Sequence, residues 1–399
     1  MAQLKYIDEI ELKNKKVIAR FDFNVPFLKN DNKIISDSTR IDATIPTIKY
    51  LLEKGVDRIV MMGHLGRPEG KRDMKYSLEP VAKMLAAKLG MEVLLTESCL
   101  DSGLKTIFKL KKHKLILLQN LRFHPEEEKN DIEFSKKLAS YGDFYVNDAF
   151  GTAHRKHAST YGIVNYFNKF CYAGGFLLKK EIEALSKIVD HPPRPFVTIV
   201  GGAKVSDKIK VLEKLLVEVD QLLIGGAMAY PFLKASGISI GKSLCSAEDL
   251  KHATKLLEAG SKSKIILPID HIISLSFEGE AQYCNSSSIP DKKMGLDIGE
   301  LTIARFTQIL NLAKTVLWNG PMGLFENKDY SKGTYAIANH LACLNAYTFV
   351  GGGDSVSAVN AAGLADQMKH VSTGGGASLE YIENSGLPGI NALKMGVAK

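Results

Sequence analysis

Apolar residues along the chain come in short runs bounded by turn formers, and between those runs they recur every three or four positions. A parallel strand covered on both faces reads as a continuous apolar run, whereas a helix packed on one side shows the longer period. The alternation predicts an α/β protein built around mainly parallel sheets flanked by helices. In the first half, strands are expected near Lys16–Phe23, Arg58–Met62, Leu115–Gln119 and Phe144–Val146. In the second half they are expected near Phe196–Val200, Gln221–Ile224, Lys264–Pro268, Thr315–Trp318, Tyr347–Val350 and His370–Ser372. Ile41, Ile45, Ile48 and Leu52 share one helical face, and Gly55 follows as a C-terminal stop. Leu178, Ile182, Leu185 and Val189 form a second stripe, on a helix that has to end at His191 because Pro192 and Pro193 cannot continue it. That helix is the expected domain boundary and linker. Neither a tandem repeat nor a low-complexity tract stands out.

With 399 residues, 45% hydrophobic and 24% charged, the chain is long enough for two or three domains. No run approaches the roughly eighteen apolar residues that cross a bilayer. The start, MAQLKYIDEIELKNKK, lacks the apolar core of a signal peptide, so the mature chain is expected to begin at or near Met1. The five cysteines, Cys99, Cys171, Cys245, Cys284 and Cys343, are scattered and without C-x-x-C spacing. They suggest neither a disulfide framework nor a zinc site, and a reducing cytoplasm fits best. A net charge of +8 admits either nucleic acid or a small anionic substrate. Lysine runs such as Lys111 and Lys112 lack interleaved aromatics and read as solvated surface. The arginines are more telling: of nine, Arg20, Arg40, Arg58, Arg67, Arg72, Arg122 and Arg155 lie in the first half, and only Arg194 and Arg305 beyond it. Guanidinium forks suit paired contacts to carboxylate and phosphate, so the first half looks equipped for a small, multiply charged anion.

In open α/β sheets ligands bind outside the carboxyl ends of the strands. The unusual residues fall there. First-half strand ends carry Asp22-Phe23-Asn24-Val25-Pro26, His64-Leu65-Gly66-Arg67, Arg122 and Asn147–Arg155. Second-half ends carry Gly201-Gly202-Ala203-Lys204, Gly225-Gly226-Ala227, Gly351-Gly352-Gly353-Asp354-Ser355 and Gly374-Gly375-Gly376. Glycine between strand and helix lets phosphate approach bare N–H groups at a positive helix end. One such loop is often only a geometric device; four in one domain favour nucleotide-phosphate binding. Gly237–Ser243 imitates a P-loop, but only three residues separate its glycines and Ser236 stands where the motif needs glycine. G-x-G-x-x-G occurs in neither half. His154 and His157 are spaced H-x-x-H, without a third ligand pattern for zinc.

At these positions the chain resembles phosphoglycerate kinase along essentially its whole length. The resemblance is carried by Arg20–Pro26, His64–Arg67, Asp148–Arg155, Gly202–Lys208, Trp318–Gly323, Gly351–Ser355 and Ser372–Ser378, in that order and spacing. It implies two Rossmann-like domains joined by a linker helix. Residues 1–177 would form an N-terminal domain binding 3-phosphoglycerate, 178–190 the linker, 191–386 a C-terminal nucleotide-binding domain, and 387–399 a tail returning to the first. The implied reaction is reversible phosphoryl transfer between 1,3-bisphosphoglycerate and ADP, giving 3-phosphoglycerate and ATP, in glycolysis and gluconeogenesis. The implied enzyme is a cytoplasmic monomer that closes over its substrates, takes Mg²⁺ as the nucleotide complex, and binds neither nucleic acid nor membrane. Family relatives often carry a third glycine where this chain has Ala227, which bears on the fit of the base.

By resemblance, the acid would be held by Asp22, Phe23, Asn24, Arg40, His64, Leu65, Gly66, Arg67, Arg122 and Arg155. Several cations on a three-carbon body bearing phosphate and carboxylate make chemical sense. Asp22 has the wrong charge for an anion and would take the substrate hydroxyl; turn formation is the alternative for Asp22 and Asn24. Nucleotide contacts fall to Lys208, Gly295 near the adenine, Glu326 at the ribose, Gly352, Gly353, Asp354 and Ser355. Asp354 either orients Mg²⁺ or caps its helix. Glu326 could equally be a surface carboxylate. Arg40, Lys204, Lys208 and the backbone of Gly352 and Gly375 would surround the transferring group. Lys204 and Lys208, four apart, can share a side at a helix start, or be a solvated pair. Two other function classes stay open: a dinucleotide-dependent oxidoreductase, disfavoured by the missing fingerprint, and a nucleic-acid binder, which predicts salt-sensitive association.

Overall fold

The computed structural model describes residues 4–28, 31–100, 103–110, 113–258 and 263–395. Lys111 and Lys112, Met1 and the last four residues of the expected tail lie outside them. The chain divides into two compact units, Met1–Glu183 with Gly386–Lys399 and Ala184–Ser385, the division falling inside the helix Phe176–Val189.

The first unit is built on six parallel strands in the order Val93–Leu95, Leu115–Leu117, Arg58–Met62, Lys16–Phe21, Phe144–Asp148 and Tyr172–Gly174. Phe144–Asp148 is buried at every position, as a parallel strand with both faces covered must be. Its core gathers Val17, Phe21, Ile48, Ile59, Met61, Leu85, Leu117 and Val146. The two edge strands are short, and Val93–Leu95 is only half-buried, so neither leaves an apolar run long enough to stand out in the sequence.

The stripe from Ile41 to Leu52 is shared by two helices, Thr39–Asp42 and Ile45–Glu53, where one was expected. Pro46 has no N–H to continue the first helix and instead sits in the opening turn of the second. The second ends as anticipated at Gly55, which adopts φ +69°. Its N–H reaches the Leu52 carbonyl while that of Val56 reaches Leu51, closing the last turn in a Schellman motif.

The second unit has six parallel strands in the order Ile265–Ile266, Gln221–Ile224, Phe196–Val200, Thr315–Asn319, Tyr347–Gly351 and His370–Val371. Counted in chain order this is 3-2-1-4-5-6, the doubly wound arrangement, whose reversal point lies between Phe196–Val200 and Thr315–Asn319. Trp318 is fully buried there, packed with Phe306, Met322 and Ile337. Its indole N–H is satisfied by the Gly320 carbonyl at 2.8 Å. A small antiparallel sheet, Gln282–Cys284, His271–Ser274 and Met294–Ile298, was not anticipated. Gln282–Cys284 is largely exposed, and its strands are too short and polar to separate from loop by pattern.

Candidate functional site

In the first unit, the loops after four neighbouring strands bring a cluster of cations together. Asp22 follows Phe21, His64 follows the strand Arg58–Met62, Arg122 lies in the turn Leu121–Phe123 beyond Leu117, and Arg155 lies beyond Asp148. Asp22 is buried, and its Oδ2 accepts Arg40 Nη1–H at 2.6 Å while its Oδ1 accepts the Asn24 N–H at 3.2 Å. The carboxylate therefore makes a local turn and also anchors a half-exposed arginine. Asn24 Oδ1 accepts the Gly66 N–H at 2.9 Å, and Arg122 Nη1 donates to the Gly66 carbonyl at 2.8 Å, so one glycine ties three loops. Phe23 and Leu65 point into the core, which leaves only their backbone facing the cluster. Arg67 is exposed in the same loop as His64.

Burial first, and crowded positive charge second, shift the titrations of the cluster. His64 is held well below the ordinary imidazole range by burial and then by Arg20, Arg122 and Arg40. His157 is pushed down to about 3, by burial first and then by Arg122, Arg20 and Arg155. Burial also lowers Arg122, to about 10, well above neutrality. At neutral pH the cluster thus presents guanidinium charge with neutral imidazoles, a surface suited to a multiply charged anion. Arg20, which the sequence analysis left without a role, is 1% exposed and bonds to His64 Nδ1 at 3.1 Å. Its place inside the motif Arg20–Pro26 was the available clue.

In the second unit an apolar cleft opens beside the strand ends. Of the expected nucleotide residues, Gly295, Glu326 and Asp354 line it, together with Gly202, Ala203 and Ala227. Tyr230, Leu244, Phe277, Met294, Leu296 and Leu324 also line it, and no motif had marked them. Gly295 is confined by Tyr230, since a Cβ there would lie 2.2 Å from the phenol oxygen.

At the reversal point Lys208 Nζ donates to the Gly201 carbonyl at 2.9 Å. Burial brings its ammonium down to about 8, against the opposing pull of Asp354 and Asp207. The helical turn begins only at Ser206, so Lys204 precedes it, exposed in the loop, and the shared helical side expected of the two lysines does not apply. The helix Gly353–Ala361 is capped by Gly352 with no side-chain bond, leaving Asp354 exposed in the first turn rather than capping it. Ser355 is fully buried, its Oγ accepting the Gly320 N–H at 2.5 Å, and it supports the loop from behind.

The glycines separate into two kinds. A Cβ on Gly201 would lie 2.0 Å from the Pro321 carbonyl oxygen, so close backbone packing alone demands glycine there. A Cβ on Gly353 or Gly376, the first residues of helices Gly353–Ala361 and Gly376–Asn384, would meet no atom within 4 Å beyond its chain neighbours and its own helix backbone, and neither glycine has an unusual φ. Packing does not account for glycine at those two positions, whereas a ligand lying against their N–H groups does.

A single Mg²⁺ bound through nucleotide phosphates needs only one or two protein carboxylates. Asp354, exposed on the cleft and electrostatically coupled to Lys208, fits that requirement. Among the described residues no group of three His, Cys, Asp or Glu could hold a metal by itself.

Comparison with known proteins bears on these arrangements. The family model described as phosphoglycerate kinase matches residues 7–385. A phosphoglycerate kinase of Anaeromyxobacter dehalogenans is 50% identical over 396 residues, covering 98% of this chain and 99% of its own. That of Borrelia hermsii is 48% identical over 396 residues, with 98% and 99% coverage. Among solved structures, phosphoglycerate kinase from Coxiella burnetii superposes with a TM-score of 0.84 at 39% identity, covering 98% of both chains. The enzyme from Pyrococcus horikoshii gives 0.85 at 31% identity, covering 98% of this chain and 99% of its own.

Proposed function

The chain belongs to the phosphoglycerate kinase family, and from that premise we propose that its first unit holds the three-carbon acid and its second the nucleotide. It is a kinase that moves a phosphoryl group reversibly between 1,3-bisphosphoglycerate and ADP, giving 3-phosphoglycerate and ATP in glycolysis and gluconeogenesis. The observation that supports the division of labour is chemical contrast. His64, Arg122 and Arg155 lie beyond strand ends of one unit, where Arg40 joins them through Asp22, and Lys208 with the glycines Gly353 and Gly376 lies beyond strand ends of the other.

Phosphoryl transfer asks for in-line placement and for stabilisation of charge on the equatorial oxygens. The attacking oxygen, on ADP or on the carboxylate, is already ionised, so no general base is needed. In this proposal Asp22 orients Arg40, which with Lys204, Lys208 and the N–H groups of the Gly352 and Gly375 loops surrounds the moving group. The apolar cleft takes the base beside Gly295, Glu326 the ribose, and Ala227 trims the base pocket. Asp354 would hold Mg²⁺, which when bound screens phosphate charge and orients the nucleotide. Closure of the two units, with the helix Phe176–Val189 as hinge, would exclude water from the acyl phosphate. We also infer a cytoplasmic monomer; among the described residues no helix is long and apolar enough to cross a membrane.

The test is a coupled assay with ATP, Mg²⁺ and 3-phosphoglycerate, omitting each in turn; turnover is expected only with all three. Arg40→Ala and Lys208→Ala should each lower turnover about 10²–10³-fold in a folded protein. Wild-type turnover in either would remove that residue from the mechanism.

A further inference from the structure

The cation cluster of the first unit rests on a buried chain of hydrogen bonds that starts at a carboxylate. Glu127, in the helical turn Pro125–Glu128, is fully buried. Its Oε1 accepts Ser159 Oγ–H at 2.6 Å, and its Oε2 accepts the Ser159 N–H at 3.0 Å. Ser159 Oγ in turn accepts Arg20 Nε–H at 3.0 Å. Arg20 Nη1 donates to the Phe21 carbonyl, and Nη2 donates to His64 Nδ1 at 3.1 Å.

Every proton in this chain has a forced direction. A guanidinium only donates and an ionised carboxylate only accepts, so the serine gives its one proton to Glu127. The nitrogen of His64 that faces Arg20 must then be the unprotonated one, which leaves the proton on Nε2. Glu127 also supplies the negative charge that a buried Arg20 requires. Burial raises the Glu127 carboxyl, and Arg20 and Ser159 act against that rise.

The polarity matters at the ligand. An Nε2–H imidazole donates to an anion, whereas the other tautomer, or a turned ring, would present it with a lone pair. Resting on the assignment of the acid to this unit, we propose that Glu127 and Ser159 are positioning residues: through Arg20 they hold His64 as the neutral Nε2–H donor for bound phosphoglycerate. Neither residue reaches the ligand itself, and neither belongs to the motif residues assigned to it.

The experiment is nitrogen-resolved histidine NMR on the full chain and on Ser159→Ala and Glu127→Gln, with KM measured separately for 3-phosphoglycerate and for ATP. In the wild type, 3-phosphoglycerate should shift the His64 resonances; an unmoved His64 would overturn the acid-site assignment and the inference with it. With His64 responding, the wild type should be the Nε2–H tautomer, and each variant a mixture. KM for 3-phosphoglycerate should rise about tenfold, as for one charge-assisted hydrogen bond lost, with KM for ATP unchanged. An Nδ1–H imidazole in the wild type, which needs no variant to fold, overturns the proposal. So does an unchanged tautomer in both variants, or an equal rise in both KM values, which would mark a purely structural role.

Discussion

Gly353 and Gly320 both stand at strand ends of the second unit, but the space that a side chain would enter differs. Gly320 has φ +100°, and a Cβ on it would lie 2.2 Å from the Gly201 carbonyl oxygen. Gly320→Ala should cost about 1–3 kcal/mol of stability, read as a lowered thermal midpoint. A Cβ on Gly353 would point into open space, so Gly353→Ala should keep the midpoint or raise stability by up to about 1 kcal/mol, while raising KM for nucleotide. A Gly353→Ala enzyme with unchanged nucleotide KM would mean that no phosphate lies against that backbone. The sequence made these glycines look alike, because residue type does not reveal which neighbours crowd it. It was more informative for Arg40, Arg122 and Arg155, whose guanidinium groups pointed to an anion, although the pairing of Asp22 with Arg40 could not be read from their spacing.

Asp148 links a strand to the helix at the unit boundary. It ends the strand Phe144–Asp148, is fully buried, and its Oδ1 accepts the Leu178 N–H at 3.0 Å, in the first turn of the helix Phe176–Val189. Burial raises its carboxyl to about 7, against the lowering effect of Thr47 and of the Leu178 and Leu177 N–H groups. A carboxyl with a raised folded-state value favours folding most below its unfolded pKa of about 4, and loses that contribution as pH rises through about 7. Asp148→Asn, which cannot ionise, should therefore flatten the fall in thermal midpoint between about pH 4 and pH 7 relative to wild type. Parallel curves for the two proteins would show that Asp148 titrates normally. The helix itself was plain in the sequence, because its apolar stripe and the terminating Pro192-Pro193 are local features. The carboxylate that grips its start was not, since Asp148 reads equally well as part of a ligand-binding motif.

At the scale of the whole molecule, the proposed reaction requires the acid and the nucleotide to meet although each is assigned to its own unit. Binding of both ligands should shift the solution ensemble towards closure about the helix Phe176–Val189. Small-angle X-ray scattering should show a smaller radius of gyration with 3-phosphoglycerate and nucleotide together than with either alone. An unchanged radius in a catalytically competent ternary mixture would argue against hinge closure.

The sequence by itself determined the α/β class, most of the central strands, the helix at the boundary and the polar clusters at strand ends. Each follows from local rules: doubly covered strands are apolar throughout, helices show their period, and turns take glycine and proline. Tertiary structure alone decided that the loops bearing Asp22, His64, Arg122 and Arg155 are neighbours, and that a doubly wound strand order sets Gly201 beside Gly320. It alone put Arg20 in contact with Ser159, 139 positions away, and with His64, 44 positions away. Contacts of that range depend on strand order and burial, and neither leaves a periodic trace in the chain.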